Sequence, residues 1–261
     1  MKIDDKAAEL ARYDQRAQDA LASGDYGNEL LLGSDMVPEY FKAPYLLYEA
    51  EVANLANKSS SILELGAGSG MHTLALLNTG ASVTASDISP SSLEVIKIKY
   101  GSQFQNLKIE VADIERLPFG DNAFDLVCCA GSLSYGAPDK VFAEVVRILK
   151  PGGAFICVDS LNNNPVYRFN RWIHYLKGER TMGTLINMPN VARLKMICRT
   201  FGDAHVYYYG SIGYLMPLIS RFLGEKVSAR ISNAWDVFFR VKRSAFRFVL
   251  VARSLNKKVF T

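Results

Sequence analysis

Ser61-Ile62-Leu63-Glu64-Leu65-Gly66-Ala67-Gly68-Ser69-Gly70 reads as an apolar strand running straight into a glycine turn, with a helix expected from position 70 onward. Glycine at every second position lets the chain turn tightly and offer bare backbone N–H groups to a ligand that side chains would keep away. The dinucleotide fingerprint needs its third glycine at position 71, and that position is Met71, so a nicotinamide cofactor is disfavoured. A structural turn would also use such glycines, and the flanking sequence has to separate the two readings.

Outward from this turn, strands are expected at 61–65, 82–86, 107–111, 125–130 and 154–159, and helices between them at 70–79, 90–101 and 138–149. Ser89-Pro90 is a helix start, and Lys150-Pro151-Gly152-Gly153 is a stop. Strands alternating with helices predict an α/β fold: a Rossmann-like, mostly parallel sheet covered by helices on both faces, with right-handed crossovers. Two helices, 4–22 and 37–56, precede it and make residues 1–58 a helical cap. The cofactor core is 59–160. The rhythm then breaks at Asn162-Asn163-Asn164-Pro165, and the polar aromatic stretch up to 189 reads as a lid insertion. Residues 190–261 follow with a helix at 190–201 and strand-like runs at 205–210 and 245–253, which flank an amphipathic helix at 217–241. If the last run inserts antiparallel, one domain of 261 residues holds a seven-stranded sheet.

Asp87 stands at the tip of the second strand, 17 residues beyond Gly70, where a carboxylate followed by Ile88 faces the ribose of a nucleoside bound across the first strand. Further on, Val111-Ala112-Asp113-Ile114-Glu115-Arg116-Leu117-Pro118-Phe119 precedes Asp121-Asn122-Ala123-Phe124-Asp125-Leu126-Val127. With Glu64 ahead of the glycines, these segments resemble the motifs of the class I S-adenosylmethionine (SAM) dependent methyltransferases, of the type 11-like domain. The resemblance covers about residues 60–160 and implies SAM as the cofactor. It implies that Glu64, Gly66, Ala67, Gly68 and Gly70 form the cradle, that Asp113 holds the adenine amino group, and that Ile114 packs on the ring. Ala130 and Gly131, after the fourth strand, would line the methionine part, and Tyr13 in Tyr13-Asp14-Gln15-Arg16-Ala17 would close over the cofactor carboxylate.

A methyl carried on a sulfonium leaves a neutral thioether, so alignment is the main demand, and an in-line nucleophile held in a dry pocket can draw about 7 to 11 kcal/mol from positioning. A hydroxyl acceptor also gains from a base. The candidates are His174 in the lid, Tyr135 where related enzymes often carry histidine, and Asp159 at the tip of the fifth strand. His72 is expected to pack against the cofactor or neighbouring loops, and His205 to be structural. Cys128, Cys129, Cys157 and Cys198 lack metal-ligand spacing, so no metal is expected and buried free thiols in the cytoplasm are the simplest reading.

The charge is uneven along the chain: residues 1–160 carry 13 Lys/Arg against 22 Asp/Glu, and residues 161–261 carry 17 against 4. The basic part suggests an anionic or phosphorylated partner, or a lipid surface; a solvated face that evens out in three dimensions would leave the same count. Nucleic acid fits poorly, since no binding module interleaves the cations and the first part is acidic. The charged start shows no secretory signal, and no apolar stretch reaches membrane-spanning length. The expected activity is O-methylation of a small molecule, a sugar or glycan-precursor hydroxyl ahead of others. The alternatives are a lipid or quinone methylated at a membrane surface, with peripheral contact through the amphipathic helix, and a SAM-binding scaffold without catalysis. Oligomeric state is left open.

Overall fold

The structure, a computed structural model, describes residues 3–26, 30–239 and 242–255. Arg240 and Val241, the expected end of the late helix, lie outside those residues, as do Met1 and Lys2 of the charged start.

Seven strands form one sheet in the order β3-β2-β1-β4-β5-β7-β6: β1 (Ser61–Leu65), β2 (Ser82–Asp87), β3 (Leu107–Val111), β4 (Phe124–Ala130), β5 (Leu149–Ser160), β6 (Phe201–Tyr209) and β7 (Arg247–Leu255). All neighbours are parallel except β7, which runs antiparallel between β5 and β6. The chain moves outward from β1 to β3 and then returns to place β4 on the other side of β1. The strand order therefore reverses at β1, and the carboxyl ends of β1 and β4 open a crevice there, where such sheets bind ligands.

Between the strands lie α3 (Thr73–Leu77), α4 (Pro90–Tyr100), α5 (Pro138–Ile148) and α8 (Val191–Cys198); α1 (Ile3–Ser23) and α2 (Ala43–Leu55) come before them. Period-two alternation splits the core into two layers. Ile62, Val83, Leu126, Cys128 and Ile156 face α2, α3 and α4, while Leu63, Leu65, Val127, Cys129 and Phe155 face α5 and α8. Ser89 caps α4 by accepting from Ser92 N at 3.1 Å, and Pro90 takes the first turn, where a missing N–H costs nothing.

Several boundaries differ from expectation. The helix α3 is shorter than the expected 70–79 helix, and β6 begins at Phe201, ahead of 205 and at the expected end of the 190–201 helix. Three more differ for local reasons. The helix expected from 37 begins at Ala43, because Pro44 cannot donate within a helix and so occupies its first turn. The residues before it, Gly33–Met36 and Glu39–Phe41, make short 3-10 turns instead. The expected 217–241 helix is two helices, α9 (Met216–Leu223) and α10 (Glu225–Phe239), divided at Gly224 with φ 78° and ψ 162°, a conformation essentially restricted to glycine. The Pro151-Gly152-Gly153 stop ends α5 but lies inside β5, which begins at Leu149. The insertion folds as α6 (Pro165–Leu176) and α7 (Met182–Asn187).

Candidate functional site

At the reversal point a cavity of about 280 Å³ lies over the carboxyl ends of β1, β2 and β4 and beneath α1. Eleven of the predicted residues line it: Tyr13, Gly66, Ala67, Gly68, Asp87, Ile88, Asp113, Ile114, Ala130, Gly131 and Tyr135. The floor is built by backbone. Gly66 and Gly68 hold φ of 63° and 54°, the left-handed region that side chains resist. A Cβ on Gly66 would stand 2.4 Å from Ser132 Cβ, so glycine is needed there for packing. A Cβ on Gly68, or on Gly131 at φ 76°, would meet no protein atom within 4 Å. Both positions face the cavity, and the space a Cβ would fill is the space a ligand needs.

Asp87 fixes this floor. Its Oδ2 accepts from Gly68 N at 2.8 Å and its Oδ1 from Ser89 N at 2.9 Å, while burial raises its pKa against those same hydrogen bonds. Asp113 Oδ1 accepts from Glu115 N at 2.9 Å, which turns the loop so that Ile114 and the Asp113 carboxylate both reach the cavity.

Glu64 and Gly70 do not line the cavity. Glu64 points beneath the turn, where its carboxylate accepts from Thr73 Oγ1 at 2.7 Å, and burial pushes its pKa up to about 8. It is therefore a protonated brace between β1 and α3. Gly70 is a packing glycine: a Cβ would lie 2.9 Å from the Tyr100 ring, whose hydroxyl donates to Gly70 O at 3.0 Å.

The three residues expected to do acid–base work fare differently. His174 lies outside the cavity on the exposed side of α6, where Nδ1 contacts Glu179 Oε2. Asp159 is buried and also outside: its oxygens accept from Leu133 N at 3.0 Å and Ser160 N at 2.6 Å, so it holds the turn that carries Tyr135 and abstracts nothing. It lies near Cys129 and Cys157, but burial drives the Cys157 thiol toward its neutral form. Tyr135 does line the cavity, hydroxyl to hydroxyl with Tyr13. Burial first, and then Tyr13, push its pKa well above the usual phenol range, which makes it a donor and not a phenolate.

Lys6, Glu9, Leu10, Ser69, Met71, Ala112 and Ser132 also line the cavity and were not assigned to it from sequence. Lys6, Glu9, Leu10 and Tyr13 share one helical face at spacings of three and four, so the assignment of Tyr13 could have brought the others with it. Lys6 Nζ bridges Asp113 Oδ2 at 2.5 Å and Glu115 Oε2 at 2.8 Å; Asp14 accepts from Ser89 Oγ at 2.8 Å; Glu9 accepts from Thr181 Oγ1 at 3.1 Å. The helix α1 thus straps the core to the α6–α7 segment.

His72, expected to pack on the cofactor or on loops, is the imidazole that lines the cavity. It stacks on Tyr45 at 5.1 Å, its Nδ1 is buried without a hydrogen-bond partner, and burial followed by Arg247 lowers its pKa to about 4. The ring is neutral near pH 7.

The profile of the methyltransferase domain family matches residues 63–157, the strands and loops that build this cavity. The chain is 35% identical over 112 residues to the sterol 4-C-methyltransferase strm-1 of Caenorhabditis elegans, a match covering 42% of this chain and 34% of that protein. It is 38% identical over 118 residues to the ubiquinone/menaquinone biosynthesis C-methyltransferase UbiE of Rickettsia bellii, covering 41% and 47%. The matches thus span less than half the length of these curated relatives. Among solved structures, a Haloferax volcanii methyltransferase in complex with the Trm112 activator shares the fold with a TM-score of 0.60 at 21% identity, covering 94% of this chain and 98% of that one.

Proposed function

We propose, from the premise that this chain belongs to the class I S-adenosylmethionine-dependent methyltransferase superfamily and takes SAM as its cofactor, that it transfers a methyl group to a small-molecule acceptor with an apolar body. The observation that carries the reading is the pair Gly68 and Gly131, open toward a cavity flanked by the Asp87 and Asp113 carboxylates. Two carboxylates at this separation in sequence suit a ribose diol and an adenine amine, and Ile114 with Leu10 supplies the apolar wall a purine needs.

Bound there, SAM supplies an electrophilic methyl on a positively charged sulfur. The chain's own residues orient and dry it. Asp87 holds the ribose end, Asp113 and Ile114 the base, and Tyr13 with Tyr135 roofs the reacting end with paired phenols. Asp159 acts on that roof from a distance, by fixing the backbone at Leu133. Among the lining side chains His72 is the imidazole, and the burial and nearby Arg247 that lower its pKa to about 4 keep it neutral, so it shapes the wall of the cavity and is a poor acceptor for a proton.

The sugar hydroxyl read first from the lid gains no support from the relatives, whose names describe carbon methylation of sterols and quinone precursors. A ring carbon of a quinone- or sterol-like molecule is accordingly the acceptor we favour over oxygen. Beside the lid, a groove of about 610 Å³ lined by Phe169, Trp172, Ile186, Arg168 and Arg171 pairs apolar surface with cations, which suits an apolar molecule bearing an anionic group. Four unpaired cysteines support a cytoplasmic placement.

Methyl-labelled SAM offered with a demethylated quinone, a sterol and a free sugar tests the reading. Label in the quinone or sterol is the expected result, with the sugar unlabelled. Tight SAM binding with no transfer to any acceptor would favour the non-catalytic scaffold.

A further inference from the structure

The geometry points to a membrane-docking face formed by α9 and α10, whose occupant is a bilayer surface containing anionic lipid. This inference does not depend on methyl transfer. It begins with an inversion: a helix on a soluble surface buries its apolar stripe and shows its polar one, and α10 does the reverse.

The side of α10 that meets the body carries Glu225, Ser228, Ser232 and Asp236, at spacings of three, four and four. Ser228 and Ser232 are buried, the first donating to Gly224 O at 2.8 Å. Asp236 accepts from Gly210 N at 2.6 Å and Ser211 N at 3.0 Å, and Glu225 accepts from Glu39 N at 3.1 Å. Both carboxylates of the two helices are thereby turned inward onto backbone donors. The outward side is left with Phe238 at 82% exposed, Phe222 at 76% and Val237 at 73%, accompanied by Leu218, Leu223 and Val227. Arg221, Lys226 and Arg230 are interspersed and exposed, and Lys242 and Arg243 follow the helix.

Large apolar side chains ringed by cations, with the anions withdrawn, are the composition of an interfacial helix. Five cations spread among the apolar side chains match the continuous negative charge of an anionic lipid surface, at about 1 kcal/mol each. The Gly224 break lets two short helices lie along one plane, and among the described residues no helix is long and apolar enough to cross a bilayer. The segment leading into this face is tied to α6. Tyr167 of α6 packs edge-on against Tyr214, just ahead of α9, and its hydroxyl accepts from Tyr214 N at 3.0 Å. An apolar acceptor leaving the bilayer would meet the α6 segment first.

The test is co-sedimentation of the full chain with phosphatidylcholine vesicles, with and without phosphatidylglycerol. The chain is expected to partition onto the anionic vesicles and to be released by salt. F222S combined with F238S should lower partitioning by at least about tenfold, and the R221Q, K226Q, R230Q triple variant by roughly fivefold per cation. All these side chains are exposed, and SAM titration verifies that each variant is folded. Partitioning unchanged in the apolar variant would overturn the inference. So would no vesicle binding by the parent chain, whether it stays monomeric or forms a dimer in light scattering that F238S dissolves. Loss of SAM binding with vesicle binding intact would overturn the enzymatic reading and leave the docking face standing.

Discussion

Gly66 and Gly68 share a left-handed backbone, yet they answer to different neighbours, and alanine separates them. At Gly66 the new methyl would be driven against Ser132, itself pinned by donating to Leu65 O at 2.7 Å, so strain and overpacking add to about 2 to 5 kcal/mol of lost stability. At Gly68 only the backbone cost of about 1 to 2 kcal/mol applies to the protein. Its methyl instead occupies the cofactor's space, and SAM affinity should fall roughly tenfold to a hundredfold. Chemical denaturation and calorimetric titration of both variants distinguish packing from binding. Glu64 makes a second residue-scale prediction. Its pKa is about 8 folded against 4.5 as the ordinary value, so between those limits the folded state binds the extra proton. Stability from this group is complete below pH 4.5 and declines as pH rises toward 8, by up to about 1.4 kcal/mol per pH unit. E64Q should flatten that decline in denaturation midpoints measured from pH 5 to 8; an unchanged slope would place the titration elsewhere. Glu64 also shows why its role was not legible as written. The sequence reveals an acid before the glycines, but strand parity puts its side chain on the α3 side, one position out of phase with the ligand.

The helix α1 lines the cavity from above, and a cofactor bound there would depend on it for retention. Its described contacts are largely polar, reaching Asp113, Glu115, Ser89, Tyr135 and Thr181, and among its described side chains only Ala17 and Glu9 are buried. Such an element opens at low cost. D14A removes the bonds to Ser89 Oγ and Ser91 N without touching the cavity, and should speed SAM release about threefold to tenfold while amide exchange in α1 rises. Release at the parent rate would show that α1 does not retain the ligand. At this scale the sequence was informative wherever an element is decided locally. The apolar runs of β1, β2 and β4, the Ser89-Pro90 start and the spacing from Gly70 to Asp87 all concern neighbours within a few tens of residues. What it concealed were contacts between distant segments: the Tyr13 and Tyr135 hydroxyls, Lys6 on Asp113, and the orientation of His174, whose place in a lid says nothing of which way a helix face turns. The split at Gly224 was open to reading, since glycine after Leu223 is a C-terminal signal. The continuing apolar pattern obscured it.

In the whole molecule, one end of the sheet carries the cavity with the Asp87 and Asp113 carboxylates, while the later part of the chain is basic and exposes apolar residues on α9 and α10. The cavity is lined by the loops after β1, β2 and β4 and by α1 from above, so a ligand bound there would draw its binding energy from elements that must all be folded for the cavity to exist. Binding to the folded state alone adds RT ln(1 + [L]/Kd), about 2.7 kcal/mol when SAM stands at a hundred times its Kd. For a domain of this size that corresponds to a rise in Tm of about 5 to 10 °C. The demethylated product S-adenosylhomocysteine keeps the ribose and adenine proposed to meet Asp87 and Asp113, and should raise Tm comparably. NAD requires the glycine that Met71 replaces and should leave Tm unchanged in the same thermal scan. A shift with NAD equal to that with SAM would mean that the cavity recognises a nucleoside without regard to what it carries, and the assignment of a methyl donor would fail. In D87N the shift with SAM should shrink, because the ribose loses a charged acceptor worth about 1.5 to 3 kcal/mol. Tm without ligand reports separately on the Gly68 turn that the same carboxylate holds.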